Sequence, residues 1–140
     1  MNTQVMFSSA TDDWATPKDF FDNLNAEFNF TLDPCASESN YKCSKYFTIN
    51  DDGLSKDWSG NTVFCNPPYG RAIKYWVRKC YEESLKPNTT VVMLIPARTD
   101  TTYFHDYIYN KAEIRFIRGR LKFGESNNSA PFPSMVIIFR

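Results

Sequence analysis

The run Thr62-Val63-Phe64-Cys65-Asn66-Pro67-Pro68-Tyr69 places the tightest limit on the fold. Thr62 to Cys65 are strand formers that run straight into Asn66. After Asn66 come two residues that lack an N–H and have φ fixed by their rings. This stiff segment offers the Asn66 side-chain carbonyl, the Pro67 backbone carbonyl and the Tyr69 ring, and it withholds backbone donors. Two acceptors beside an aromatic face suit a planar amine. Carbonyls that accept both N–H bonds of an aromatic amine draw its nitrogen toward tetrahedral geometry and localise its lone pair. The ring holds the base by stacking, which contributes about 1–3 kcal/mol whichever base it is. Stacking uses the face of Tyr69 and not its hydroxyl. The plainer reading is a polyproline turn in which Asn66 caps and Tyr69 packs.

Other segments end at the same kind of place. Val91-Val92-Met93-Leu94-Ile95 is continuously apolar, as a central parallel strand covered on both faces would be, and it ends in Pro96-Ala97-Arg98-Thr99. Phe28-Asn29-Phe30-Thr31-Leu32 alternates as a strand does and ends in Asp33-Pro34-Cys35-Ala36. A carboxylate at the carboxyl end of a parallel strand faces the crevice where open α/β sheets bind ligands. Asp-Pro is also an ordinary turn former.

Helix signals separate these strands. Thr16 as N-cap, Pro17 at the first helical position and Asp19 in the first turn predict a helix over about 17–27, with Phe20, Phe21 and Leu24 inward. Residues 71–85 carry one apolar stripe of Ile73, Trp76, Val77, Cys80, Tyr81 and Leu85, stopped by Lys86-Pro87-Asn88. Residues 100–109 read as a further helix with Phe104, Tyr107 and Ile108 inward. Late strands are expected at 113–117 and 135–139. Residues 37–50 show no clear periodicity, and residues 1–13 read as a flexible start.

At 140 residues the chain is expected to form one domain, with no apolar run near the ~20 residues of a membrane span. Its polar N-terminus has no signal-peptide pattern, which points to a cytosolic protein. Cys35, Cys43, Cys65 and Cys80 form no Cys-x-x-Cys pair, and His105 is the single histidine. Reduced, mostly buried thiols and no metal site are therefore expected. Net charge is zero but unevenly placed: residues 1–60 hold 10 acids and 4 bases, and residues 61–140 hold 6 acids and 12 bases. Such a split suits one face for an anion and another for a cation.

Asn66-Pro67-Pro68-Tyr69 resembles the [Asn/Asp/Ser]-Pro-Pro-[Tyr/Phe/Trp] motif of S-adenosylmethionine-dependent amino methyltransferases. Within these the chain most resembles the small phage-type (Dam-like) DNA adenine N6-methyltransferases. Trp14-Ala15-Thr16-Pro17, Asp51-Asp52-Gly53-Leu54 with Trp58, and Pro96-Ala97-Arg98-Thr99 look like segments of that family. So do Gly119-Arg120-Leu121-Lys122-Phe123 and Ala130-Pro131-Phe132-Pro133-Ser134.

The resemblance implies a compact α/β fold: a shortened Rossmann-like methyltransferase sheet with flanking helices and a C-terminal hairpin. It implies methyl transfer from S-adenosylmethionine to the N6 amine of a flipped adenine in DNA, in the bacterial host cytoplasm. Asn66, Pro67, Pro68 and Tyr69 would be catalytic. Trp14, Thr16, Pro17, Asp33, Cys35, Asp52 and Asn66 would bind the cofactor. Phe123, or else Phe132, would cover the second face of the base. Arg71, Lys74, Arg98, Arg118, Arg120 and Lys122 are candidates for phosphate contact.

One departure stands out. The wider superfamily has a glycine-rich loop after its cofactor strand, whereas no glycine precedes Gly53 here. The phage-type subfamily has an Asp-x-Cys-Ala-like turn at this point. Related motifs also serve cytosine N4, RNA adenine and protein glutamine methylation, and a non-catalytic phage DNA-binding module could keep the same fold.

Overall fold

A computed structural model describes residues 14–124 and 128–140. The flexible start expected over 1–13 lies outside the described residues. The apolar run becomes β2 (Thr90–Pro96), with every residue after Thr90 buried. It lies between β1 (Thr62–Cys65), which pairs with it in parallel from Thr62↔Thr90 to Cys65↔Met93, and β4 (Ser134–Phe139), antiparallel through Met93↔Ile137. β3 (Glu113–Phe116) is antiparallel to β4 on its outer side, so the order is β1-β2-β4-β3. A buried strand with neighbours on both edges and cover on both faces has no use for alternation, and β2 shows none.

Helix α1 (Lys18–Phe28) buries Phe21 and Leu24, with the Phe21 ring edge-on to Phe64 of β1 at 5.1 Å. Helix α2 (Ile73–Ser84) buries Ile73, Trp76, Val77 and Cys80. The stripe stops earlier than its sequence suggests: Leu85 follows the last helical residue and is 69% exposed.

Two elements differ from their sequence patterns. Residues 28–32 do not form a strand. α1 continues through Phe28, and Asn29 closes it in the left-handed region (φ 56°), donating its N–H to the Asn25 carbonyl. The Asn25 side chain accepts from the Phe30 N–H at 2.8 Å. The extension that remains is short but runs parallel beside β1: Leu32 bridges Val63, and Asp33 bridges Tyr46. The helix expected over 100–109 contracts to a π-helical turn at Phe104–Ile108, which still buries Phe104 and Ile108. The two late strands do pair as an antiparallel hairpin.

Candidate active site

The Leu32 extension, β1 and β2 run in parallel, so their carboxyl ends open on one edge of the sheet, where α/β sheets bind ligands. Two clefts lie there. The first, about 440 Å³, gathers Trp14, Thr16, Asp33, Cys35, Asp52, Asn66, Pro67 and Pro68. The second, about 460 Å³, is bordered by Trp14, Tyr69, Pro96, Arg98, Tyr103 and Phe132. Trp14 borders both, and Asn66 to Tyr69 carries the chain from one to the other.

Asn66 is held on both sides of its amide. Its Nδ2 donates to the Trp14 carbonyl and, at 2.9 Å, to Thr16 Oγ1. Its Oδ1 accepts from the Tyr69 hydroxyl at 2.7 Å, and that hydroxyl also lies 3.1 Å from the Leu94 carbonyl. The sequence predicts Thr16 as the N-cap of α1. Instead Pro17 occupies that position, the helix has no side-chain cap bond, and the Thr16 hydroxyl is turned to Asn66. Pro17, half-buried, opens α1 without lining the first cleft.

Tyr69 is not an open stacking face in this arrangement. It is 5% exposed, with Phe132 edge-on at 5.6 Å and Phe123 at 6.2 Å. Trp14 meets the same two phenylalanines edge-on, at 5.1 Å from Phe132 and 5.5 Å from Phe123. Burial drives the Tyr69 hydroxyl pKa well up, with the nearby Cys65 and Cys35 thiols adding to the shift, so the group stays a neutral donor.

Asp33 is nearly enclosed. Its Oδ1 accepts from the Cys35 N–H at 3.2 Å and its Oδ2 from the Lys42 N–H at 2.9 Å. Burial raises its pKa above the ordinary carboxylate value, opposed by these two N–H groups and by the Lys42 charge. Each oxygen keeps a lone pair for a ligand.

The missing glycine-rich loop is replaced by a close backbone approach. A Cβ at Gly53 would stand 2.2 Å from the Pro34 carbonyl oxygen, so only glycine fits against this turn. The Trp58 indole N–H bonds the Gly53 carbonyl at 3.0 Å. Asp52, left-handed at φ 57°, is thereby brought to the same cleft as Asp33.

The later segments converge here too. The Gly124 N–H bonds the Ala15 carbonyl at 2.7 Å, the Ala130 N–H bonds Leu121, and the Ala97 N–H bonds Pro133. Arg71, Lys74, Arg98, Arg118, Arg120 and Lys122 are all exposed. Of these, Arg98 borders the second cleft, and Arg71 follows Gly70, which also borders it. Tyr103 is buried in the wall of that cleft, and the helical periodicity of residues 100–109 does not point to it. Its one signal was an aromatic residue soon after a strand end. Ile49 and Lys42, both in the first cleft, were likewise missed within the aperiodic 37–50 segment. Among the described residues no three His, Cys, Asp or Glu side chains gather as a metal site requires, and no helix is long and apolar enough to cross a membrane.

The family described as DNA N-6-adenine-methyltransferase (Dam) matches residues 3–140. The chain is 34% identical over 139 residues to the DNA N-6-adenine-methyltransferase of Haemophilus phage HP1, covering 94% of this chain and 80% of that protein. It is 34% identical over 110 residues to the protein of the same name from Escherichia phage T1, covering 77% of this chain and 45% of the relative.

Proposed function

The chain belongs to the DNA N-6-adenine-methyltransferase (Dam) family, and from that premise we propose that it moves a methyl group from S-adenosylmethionine to the N6 amine of a flipped adenine in DNA. The observation that carries this reading is the place of Asn66 to Tyr69 at the junction of two clefts that share Trp14. One cleft suits a cofactor and the other a base. The strand order, extended beside β1 by the Leu32–Val63 bridge and one step further out by the Asp33–Tyr46 bridge, supports a shortened Rossmann-like sheet.

The first cleft fits the cofactor by size and chemistry. About 440 Å³ falls within the range of ~300–1,000 Å³ usual for small-molecule sites. Asp33 and Asp52 offer acceptors to amino and hydroxyl groups and offset a positive charge, while Trp14, Pro34, Ile49 and Phe64 supply apolar walls. When bound, S-adenosylmethionine supplies an electrophilic methyl group.

The protein's own groups then act on the amine. Asn66 Oδ1 and the Pro67 carbonyl accept its two N–H bonds and localise its lone pair. A flipped base enters beside Tyr69, replacing the edge-on contacts of Phe123 and Phe132 with stacking of about 1–3 kcal/mol. That stacking offsets part of the few kcal/mol lost on leaving the duplex. Arg98 borders the second cleft, Arg71 follows Gly70 on its rim, and Arg120 and Lys122 lie beside Phe123, which packs on Phe132 of that cleft; these four are assigned to backbone phosphates.

Asn66→Ala tests the assignment. Methyl transfer to DNA should fall ~10²–10³-fold, as on removal of one preorganised polar contact, while calorimetry still detects cofactor binding. Full activity in Asn66→Ala would contradict it.

A further inference from the structure

Asn66 needs a defined amide orientation if its oxygen is to accept from a substrate amine, because a flipped amide would present donors to a donor. An amide has two N–H bonds, and both are engaged here, by the Trp14 carbonyl and by Thr16 Oγ1. The Trp14 carbonyl can only accept, so the reverse orientation would set oxygen against oxygen. Thr16 is 4% exposed, and its hydroxyl accepts from the Asn66 amide, while Pro17 takes the N-cap position of the helix. The Tyr69 hydroxyl carries one proton between Asn66 Oδ1 and the Leu94 carbonyl. Donation to Leu94 frees both Oδ1 lone pairs, and donation to Asn66 leaves one.

We propose that Thr16 is a positioning residue: with the Trp14 carbonyl it clamps the Asn66 nitrogen, so that Oδ1 is the atom presented to the reacting amine. The inference rests on the methyltransferase reading and deepens it. It also departs from the role that the sequence resemblance gave Thr16, that of a cofactor contact.

The two roles separate in Thr16→Val and Thr16→Ser. If Thr16 positions Asn66, Thr16→Val lowers kcat about 5–10-fold, the loss of one hydrogen bond, with the cofactor Kd unchanged, and Thr16→Ser restores kcat. If Thr16→Val instead weakens cofactor binding with kcat preserved, leaves both unchanged, or is no worse than Thr16→Ser, the proposal fails. A readout without catalysis is the Asn66 side-chain NH2 pair in a ¹H–¹⁵N spectrum. In the wild type both protons should be protected from exchange, and in Thr16→Val one should move and exchange faster. Unprotected wild-type protons, or a pair unmoved by Thr16→Val, would overturn the clamp even if the protein proved to methylate nothing. A wild type inactive on DNA adenine would count against the function alone.

Discussion

Gly53→Ala adds one methyl group where the structure has no room for it. The new carbon would sit 2.2 Å from the Pro34 carbonyl oxygen and 3.2 Å from the Trp76 ring, against an ordinary contact of at least 3.4 Å. Pro34 must retreat by roughly 1 Å, the difference between those two distances. Overpacking of this kind costs about 1–3 kcal/mol. The stiffer unfolded chain returns only about 0.4–1 kcal/mol, leaving a net loss of about 1–2 kcal/mol. At this chain length that corresponds to a fall of roughly 3–7 °C in Tm. Function should suffer more than stability, because Pro34 sits between Asp33 and Cys35 on the wall of the first cleft. A displacement near 1 Å at a positioning element can cost about 10²-fold in rate, which we expect in kcat/KM for the cofactor. Thermal unfolding and initial rates on one preparation measure both. A Gly53→Ala protein with wild-type Tm and wild-type kcat/KM would refute the close approach and its link to the cleft.

Cofactor affinity should fall as pH drops through the raised pKa of Asp33, hence above the ~3.9 of an ordinary aspartate, and calorimetry across pH should find Asp33→Asn weak throughout with that dependence gone. Fold stability responds with the opposite sign: a raised acid pKa means the protonated form favours the folded state, so this contribution is full below the unfolded pKa and is lost as pH rises through the folded one. Tyr69→Phe should slow methyl transfer about 2–10-fold through the lost hydroxyl bond while keeping base capture, read as 2-aminopurine fluorescence at the target position; an unchanged rate would leave the hydroxyl without a role. DNA binding should weaken with salt at a log–log slope of about −0.9 per phosphate neutralised, and Arg120→Ala or Lys122→Ala should flatten that slope without changing which base is methylated.

Much of this site was legible in the sequence because it lies where strands stop, and stopping has strong local signals. Val91 to Ile95 had to be a buried strand, and Asn66 with two prolines had to follow one. What the sequence hid was spent on tertiary hydrogen bonds. Thr16 before Pro17 reads as a cap, yet its hydroxyl goes to Asn66, 50 residues away. Tyr69 reads as an aromatic face, yet burial and two acceptors make its hydroxyl part of the structure. Residues 28–32 alternate as a strand would, but Asn29 can adopt the left-handed conformation that ends α1, and so local capping won over periodicity. The 37–50 segment has no period to read, because backbone bonds such as Phe47 N–H to the Asp33 carbonyl place it.

The central claim is the identity of the reacting atom. Unmethylated duplex DNA incubated with the purified protein and methyl-labelled S-adenosylmethionine, then digested to nucleosides and separated by mass, should carry the label in N6-methyladenine. Label in N4-methylcytosine, or no labelled base under conditions where the cofactor binds, would contradict the account.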